Sequence, residues 1–166
     1  GCILVNDGHV VGRGWTQPGG RPHAEEMALA QAGSAARGAT AYVTLEPCAH
    51  QGRGPRPCCH ALIEAGVAAV VVACLDPDPR TAGRGAERLR AAGIPVEIGV
   101  GRSGAEQSMA GFLARLRLGR PRITLKLAMS IDGRIALASG ESRWITGEDA
   151  RAHAHLERAR SDMILV

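Results

Sequence analysis

The stretch AYVTLEPC, residues 41–48, joins an apolar strand-like run to a cysteine, and the remainder of the chain is arranged around it. Upstream, PHAEE over residues 22–26 opens a run with helical apolar spacing, and downstream Cys58 opens a second such run. A strand between two helical patterns predicts an α/β unit with ligand-type side chains at helix N-termini. At those positions the helix dipole stabilises thiolate and hydroxide charge.

Four of these residues indicate a zinc-dependent hydrolytic centre. His23, Cys48 and Cys58 are of the types that bind zinc, and Glu25 adds a carboxylate two residues after His23. A Zn²⁺ ion with three protein ligands keeps a fourth position for water and lowers the pKa of that water toward ~7. His-x-Glu followed by Pro-Cys is the arrangement of zinc-dependent nucleobase deaminases. We therefore predict an open zinc site with Glu25 as general acid and base.

Two structural interpretations of the same residues stand beside the catalytic one. In the first, Cys48 and Cys58 are buried apolar thiols, as free cysteines commonly are. In the second, zinc occupies a closed structural site with Cys59, His50 or His60 as its fourth ligand. The placement of the ligands at successive helix starts favours the catalytic interpretation.

The composition is that of an ordinary globular protein, with 45% apolar and 22% charged residues among 166. No apolar run approaches the ~20 residues that a membrane-spanning helix needs. The odd count of five cysteines, two of them assigned to metal, argues against a disulfide framework. No leader pattern opens the sequence. We expect a cytoplasmic protein that does not span a membrane.

The net charge of +4 comes almost entirely from arginine, since Lys126 is the single lysine. Guanidinium groups suit phosphate binding. The arginines are scattered and only four aromatic residues occur, too few for a base-stacking surface. These features predict a small phosphorylated substrate and no nucleic-acid partner.

Strand and helix patterns alternate along most of the chain, and Gly119-Arg120-Pro121 predicts a domain boundary. The alternation predicts a layered α/β domain with helices on both faces of a sheet. The predicted elements after Cys58 are a strand at 68–73, a helix at 85–92, a strand at 96–100, a helix at 105–118, a strand at 123–127, a helix at 147–159 and a strand at 163–166. Residues 121–166 are too few to complete an α/β domain, so we interpret the chain as a fragment of a longer protein, truncated at both ends.

Several segments, in order, carry a resemblance to a known family. They are GRGW at 12–15, PHAE at 22–25, TLEPCAH at 44–50, PC at 57–58, DPDP at 76–79, AGRG at 82–85, TLKLAMSIDGR at 124–134 and GESRWIT at 140–146. Over nearly its whole length the chain resembles the bifunctional riboflavin-biosynthesis deaminase/reductase family. Because one motif set belongs to each half of that family, the resemblance is specific.

The resemblance implies the fold and the domain boundaries. Residues 1–120 are expected to form a zinc deaminase domain, a cytidine-deaminase-like three-layer α/β/α sandwich whose N-terminal helix is missing here. Residues 121–166 are expected to be the incomplete beginning of a dihydrofolate-reductase-like domain.

The resemblance also implies a two-step reaction. The amino group of 2,5-diamino-6-(5-phosphoribosylamino)pyrimidin-4-one is hydrolysed to give 5-amino-6-(5-phosphoribosylamino)uracil, and NADPH then reduces the ribose. By this resemblance His23, Cys48 and Cys58 hold zinc and Glu25 transfers protons. The implied substrate contacts are His50, Arg53, Asp76, Asp78, Ser142 and Arg158. The implied NADP contacts are Ala128 and Trp144.

Two rival functions remain. A tRNA adenosine or cytidine deaminase shares the zinc chemistry, but such enzymes usually have Pro-Cys-x-x-Cys, whereas Cys48 and Cys58 are ten positions apart. They also have no second domain like the one that starts at Pro121. A non-catalytic zinc scaffold would not need the Glu25 carboxylate. The sequence leaves open whether the protein forms a homo-oligomer.

Overall fold

The computed structural model describes residues 1–49 and 56–165, which form two compact units, Gly1–Arg122 and Ile123–Val166. The first unit contains a five-stranded sheet. The elements are β1 (Cys2–Asn6), β2 (His9–Gly14), α1 (Ala24–Ala32), β3 (Thr40–Leu45), α2 (Cys58–Ala65), β4 (Ala69–Cys74), α3 (Arg84–Ala91), β5 (Val96–Ile98), α4 (Arg102–Ser108), α5 (Ala110–Leu118) and α6 (Glu148–Ala159). A short 3₁₀ turn, Gly33–Ala36, follows α1.

The sheet has the strand order β2-β1-β3-β4-β5 and mixed direction. Strand β1 pairs antiparallel with both β2 and β3, while β3, β4 and β5 run parallel. Asn6-Asp7-Gly8 between two apolar runs is a sequence pattern that predicts a β-hairpin, and the β1–β2 connection confirms it. Asp7 and Gly8 both take positive φ there, 48° and 75°. Two successive positive φ values are those of the tight turns that match the twist of a hairpin.

Helices cover both faces of the sheet, which confirms the predicted layered α/β architecture. On one face α1, α2 and α3 pack against alternate residues of the strands, and Leu4, Leu62, Leu89 and Val70 are fully buried there. On the other face Ala105 of α4 packs against Ala73 and Cys74 of β4. Because side chains alternate across a strand, Val72 and Ala73 belong to different layers.

Small residues let α1 lie unusually close to the hairpin. A Cβ atom at Gly12 would lie 2.2 Å from the carbonyl oxygen of Ala28, and one at Gly14 would lie 2.0 Å from that of Ala24. The backbone of β2 therefore touches the backbone of α1 directly. This contact fixes the position of the helix that begins beside His23.

Parallel pairing of β3 with β4 brings two functional segments to one edge of the sheet. Leu45 is the register partner of Cys74, and the Glu46 amide continues the ladder by donating to the Cys74 carbonyl at 2.8 Å. Carboxyl ends of parallel neighbours meet at the same edge. The segment that carries Cys48 thus lies beside the loop that follows β4.

The predicted helix 105–118 is two helices, because Met109 takes φ −106° and ψ 15°, outside helical values. In the second unit α6 confirms the predicted helix 147–159. The predicted strands 123–127 and 163–166 are wrong over the residues described, since 123–127 and 163–165 have irregular backbone. A strand needs a neighbour to pair its backbone N–H and C=O groups, and the described part of this unit offers none.

The contact between α1 and the hairpin predicts that Gly14→Ala destabilises the protein. The added methyl group must displace α1 backbone, and overpacking of this kind typically costs ~1–3 kcal/mol of unfolding free energy. Gly111→Ala on α5 is the matched control, since nothing lies within 4 Å of its Cβ position. The control is expected to be neutral or stabilising, because alanine favours a helix over glycine by ~0.5–1 kcal/mol. Urea denaturation measures both, and a Gly14→Ala protein as stable as wild type would contradict the account.

Candidate metal centre

Three side chains of the types that bind zinc converge at the carboxyl end of β3. The ligand atoms of His23, Cys48 and Cys58 all lie within 4.8 Å of one another. The His23 Nδ1 atom is 3.2 Å from the Cys58 Sγ atom and 3.6 Å from the Cys48 Sγ atom. The structure therefore brings together residues that are 35 positions apart in the chain.

These separations fit a tetrahedral zinc ion. With Zn–N near 2.0 Å and Zn–S near 2.3 Å, tetrahedral geometry places nitrogen and sulfur ligands about 3.5 Å apart. The two observed N–S distances lie on either side of that value. One imidazole and two thiols also form a donor set that zinc prefers.

The predicted placement of the ligands at helix N-termini is confirmed. His23 is the N-cap residue of α1, and its backbone amide donates to the Glu26 carboxylate at 2.6 Å. Cys58 is the first residue of α2, and its amide donates to the Cys48 Sγ atom at 3.3 Å. Unpaired amides at a helix N-terminus favour negative charge, so these positions stabilise a thiolate.

The environment of the two thiols shifts their pKa values in opposite directions. A hydrogen bond from the Cys58 thiol lowers the pKa of the Cys48 thiol, against the opposing effect of burial. The same hydrogen bond, together with burial, raises the pKa of the Cys58 thiol. The pKa of His23 is raised, chiefly by its hydrogen bond with Cys48. Because zinc binds the thiolate form of cysteine, metal binding at these residues would release thiol protons.

Glu25 lies in the first turn of α1 and is only 7% exposed. Burial raises the pKa of its carboxyl group, while the nearby His23 charge lowers it and the Cys48 charge raises it. Glu25 is therefore close enough to the ligands to feel their charges without belonging to the ligand group. A buried carboxyl group with a raised pKa, beside a metal site, is suited to accept and return a proton.

The residues that would close the site do not join the ligand group. Among the described residues, neither Cys59 nor His60 belongs to it. Cys59 is buried in the core of the helical face, where burial raises the pKa of its thiol, and His60 is exposed on α2. The remaining closed-site candidate, His50, and the predicted substrate contact Arg53 lie outside the described residues.

Asp76 and Asp78 lie in the loop after β4, beside the Cys48 segment. The Asp76 amide donates to the Glu46 carboxylate at 3.2 Å, and the Asp78 amide donates to the Asp76 carboxylate at 2.9 Å. The Asp78 carboxylate also forms an ion pair with Arg80. Both aspartates are half-buried.

The other predicted contacts lie in the second unit. Ala128 is half-buried in irregular backbone, Ser142 is exposed, and Arg158 is exposed on α6. Trp144 is 71% exposed, with the Arg151 guanidinium 4.5 Å from its ring centroid.

Three residues near the centre were not assigned a role from the sequence. Arg21 forms an ion pair with Glu26 at 3.1 Å, and its guanidinium lies 3.9 Å from the Cys48 Sγ atom. The Arg88 guanidinium donates to the Ala49 carbonyl, and the Glu46 carboxylate accepts backbone amides from distant segments. Of these three, only Glu46 could have been noticed from the sequence, because it is an acidic residue directly after an apolar strand.

Comparisons with known proteins identify the relatives of the chain. Residues 1–74 match the cytidine and deoxycytidylate deaminase zinc-binding region, and residues 121–166 match the RibD C-terminal domain. The riboflavin biosynthesis protein RibD of Escherichia coli is 58% identical over 165 residues, covering 99% of this chain and 45% of its own length.

Solved structures agree with this relationship. Acinetobacter baumannii RibD superposes with a TM-score of 0.82 at 53% identity, over 96% of this chain and 45% of that chain. A diaminohydroxyphosphoribosylaminopyrimidine deaminase/5-amino-6-(5-phosphoribosylamino)uracil reductase from Thermotoga maritima superposes with a TM-score of 0.85 at 39% identity, over 95% of this chain and 45% of that chain. The chain thus spans less than half the length of these relatives, and the resemblance noted from its motifs is confirmed. In the described residues no helix has the length and apolar character to cross a membrane.

The ligand geometry predicts one zinc ion per chain in protein purified without added metal. Cys48→Ser and Cys58→Ser are each expected to lose most of the zinc, because serine does not supply the thiolate that zinc prefers. Cys59→Ser is the matched control and is expected to keep the zinc, since its thiol lies in the core. Elemental analysis by mass spectrometry measures the content. Zinc loss in Cys59→Ser alone would instead indicate a closed structural site.

Proposed function

We propose, because the chain belongs to the RibD family of riboflavin-biosynthesis proteins, that its first unit is a zinc-dependent deaminase domain. Its reaction is the hydrolysis of the amino group of 2,5-diamino-6-(5-phosphoribosylamino)pyrimidin-4-one to give 5-amino-6-(5-phosphoribosylamino)uracil. The single observation that carries this proposal is the buried Glu25 carboxyl group beside a three-residue zinc site.

The residues divide the chemistry between them. His23, Cys48 and Cys58 would hold a Zn²⁺ ion, which would supply Lewis acidity and lower the pKa of a bound water to ~7. The Glu25 carboxylate accepts a proton as water adds to the ring carbon that carries the amine. Glu25 then delivers protons to the ring nitrogen and to the departing amine. The carbon–nitrogen bond breaks, ammonia leaves and a carbonyl group forms, so water is the only other reactant.

Substrate binding is proposed at the edge of the sheet where β3 and β4 end. The loop with Asp76 and Asp78 lies beside the Cys48 segment there, as the hydrogen bonds through Glu46 indicate. Family resemblance adds His50 and Arg53 as contacts for the phosphorylated ribose. The proposed substrate class is thus a small phosphorylated pyrimidine. We also propose that the protein is cytoplasmic and has no nucleic-acid partner.

The second unit is proposed to be the beginning of the family's NADPH-dependent reductase domain. Ala128 and Trp144 are the proposed NADP contacts, and Ser142 and Arg158 are the proposed substrate contacts. Their support is the match of residues 121–166 to the RibD C-terminal domain. The reaction proposed for that domain is NADPH-dependent reduction of the ribose.

Glu25→Gln is expected to abolish deamination while zinc content and fold are retained. Glutamine is nearly isosteric but cannot accept the proton, and loss of general acid/base catalysis typically costs ~10²–10⁴-fold in rate. We expect the upper end, because Glu25 handles more than one transfer. Release of ammonia from the diaminopyrimidinone measures the effect. Glu64→Gln, an exposed carboxylate on α2, is the control and should leave the rate unchanged. A Glu25→Gln rate within tenfold of wild type would contradict the role of Glu25 as general acid and base. Absence of ammonia release from the wild-type protein would favour the non-catalytic zinc scaffold.

NADPH is expected not to bind this chain at micromolar concentration. Hydride transfer requires a cofactor fixed against the sugar, and orientation of this kind can account for ~7–11 kcal/mol of a barrier. The described part of the second unit contains α6 but no strand, and it leaves Trp144 largely in solvent. Titration followed by NADPH fluorescence tests this expectation. Saturable micromolar binding would show that the cofactor site is already complete in residues 121–166.

A further inference from the structure

The buried carboxylate of Glu46 connects three separate parts of the first unit. Glu46 follows β3 directly and is only 3% exposed. Its Oε2 atom accepts the amides of Asp76 at 3.2 Å and Gly83 at 2.8 Å. Its Oε1 atom accepts the amides of Gly85 at 2.9 Å and Ala86 at 3.1 Å. One side chain thus ties both ends of the loop after β4, and the first turn of α3, to the end of β3.

The four backbone donors match the two acceptor oxygens of the Glu46 side chain. Gly83 is the N-cap residue of α3, and Gly85 and Ala86 lie in its first turn, where amides have no acceptor within the helix. A carboxylate offers lone pairs on both oxygens and no donor. Its negative charge also suits the positive end of the helix dipole. Glu46, directly after β3, therefore caps α3 although it lies 40 residues before Ala86 in the chain.

Contacts from α3 also hold the backbone on both sides of Cys48. A Cβ atom at Gly85 would lie 2.1 Å from the Pro47 carbonyl oxygen, so the helix backbone touches the peptide just before Cys48. The Arg88 guanidinium donates to the carbonyl of Ala49, just after Cys48. Because Glu46 fixes the position of α3, and α3 contacts the residues on either side of Cys48, Glu46 also fixes the position of Cys48.

We infer that Glu46 is a positioning residue for two elements of the site: the Cys48 ligand and the loop over residues 76–83. It acts through backbone hydrogen bonds, without contacting zinc or the reacting atoms. The part that concerns the loop rests on the proposed function, since that function places the substrate there. The part that concerns Cys48 depends on the zinc site alone.

Glu46→Gln is the sharpest change, because it keeps the shape and removes the charge. The amide group replaces one oxygen and points its own hydrogens at two backbone N–H donors. Two of the four hydrogen bonds are lost, because two buried backbone N–H groups then face the NH2 group of glutamine, which is also a donor. Glu87→Gln is the matched control: it makes the same substitution in the first turn of the same helix, at an exposed position.

Three measurements on the zinc-loaded protein separate positioning from a merely structural effect. Zinc release to a chromogenic chelator is expected to be ~10–100-fold faster in Glu46→Gln, the range typical of changes in residues that orient metal ligands. Hydrogen exchange should accelerate at the amides of Gly83, Gly85 and Ala86 while the amides of β4 stay protected. KM for the diaminopyrimidinone should rise at least about tenfold, whereas partial unfolding would lower the apparent kcat and leave KM unchanged.

The outcomes distinguish this inference from the proposed function. Zinc release and amide exchange equal to those of Glu87→Gln would overturn the positioning role. Faster zinc release with an unchanged KM would overturn the role at the loop. Absence of deamination in the wild-type protein would contradict the proposed function. Zinc release and amide hydrogen exchange would still test the positioning role of Glu46.

Glu46→Asp supplies a second variant in case Glu46→Gln does not fold. Aspartate keeps both acceptor oxygens on a side chain shorter by one methylene group. It is expected to release zinc at a rate between wild type and Glu46→Gln, and to recover part of the KM change. Zinc release and KM equal to wild type in Glu46→Asp, with Glu46→Gln unfolded, would overturn the proposal.

Discussion

The meeting of two helix N-termini at the carboxyl end of β3 is the constraint on which the site depends. Helix α1 starts next to His23 and α2 starts at Cys58, and both pack on the same face of the sheet. The Cys58 amide at the start of α2 donates to the Cys48 Sγ atom, and the positive dipole end of α1 lies beside His23. A metal site with two thiolate ligands needs such surroundings, because thiolate charge in a buried place is otherwise costly.

Small residues make that geometry attainable. Gly12 and Gly14 let the backbone of α1 touch β2, and Gly85 lets α3 touch the peptide before Cys48. In each place a single added carbon would meet a carbonyl oxygen at about 2 Å. Close backbone contacts position an element more rigidly than contacts between long side chains, which retain rotamer freedom. The ligands are thereby fixed by the main chain.

Two buried glutamates on this edge of the sheet illustrate how environment decides the use of a carboxyl group. Glu25 lies beside the ligands, where burial raises its pKa and favours proton exchange. Glu46 receives four backbone amides, which satisfy both of its oxygens and suit it to hold structure in place. The difference lies in the surrounding donors, since the two side chains are chemically identical.

The sequence by itself predicted the candidate ligand group with Glu25 beside it, the hairpin and the α/β layering, because each rests on local spacing or on residue chemistry. His23 and Glu25 are two residues apart, and the helix and strand periods are visible within short windows. Only the tertiary structure decided the rest. Glu46 and α3 meet through amides nearly 40 residues away, which no local pattern encodes. Strands at 123–127 and 163–166 were predicted from apolar runs, but a strand forms only with a pairing neighbour, and the described second unit provides none.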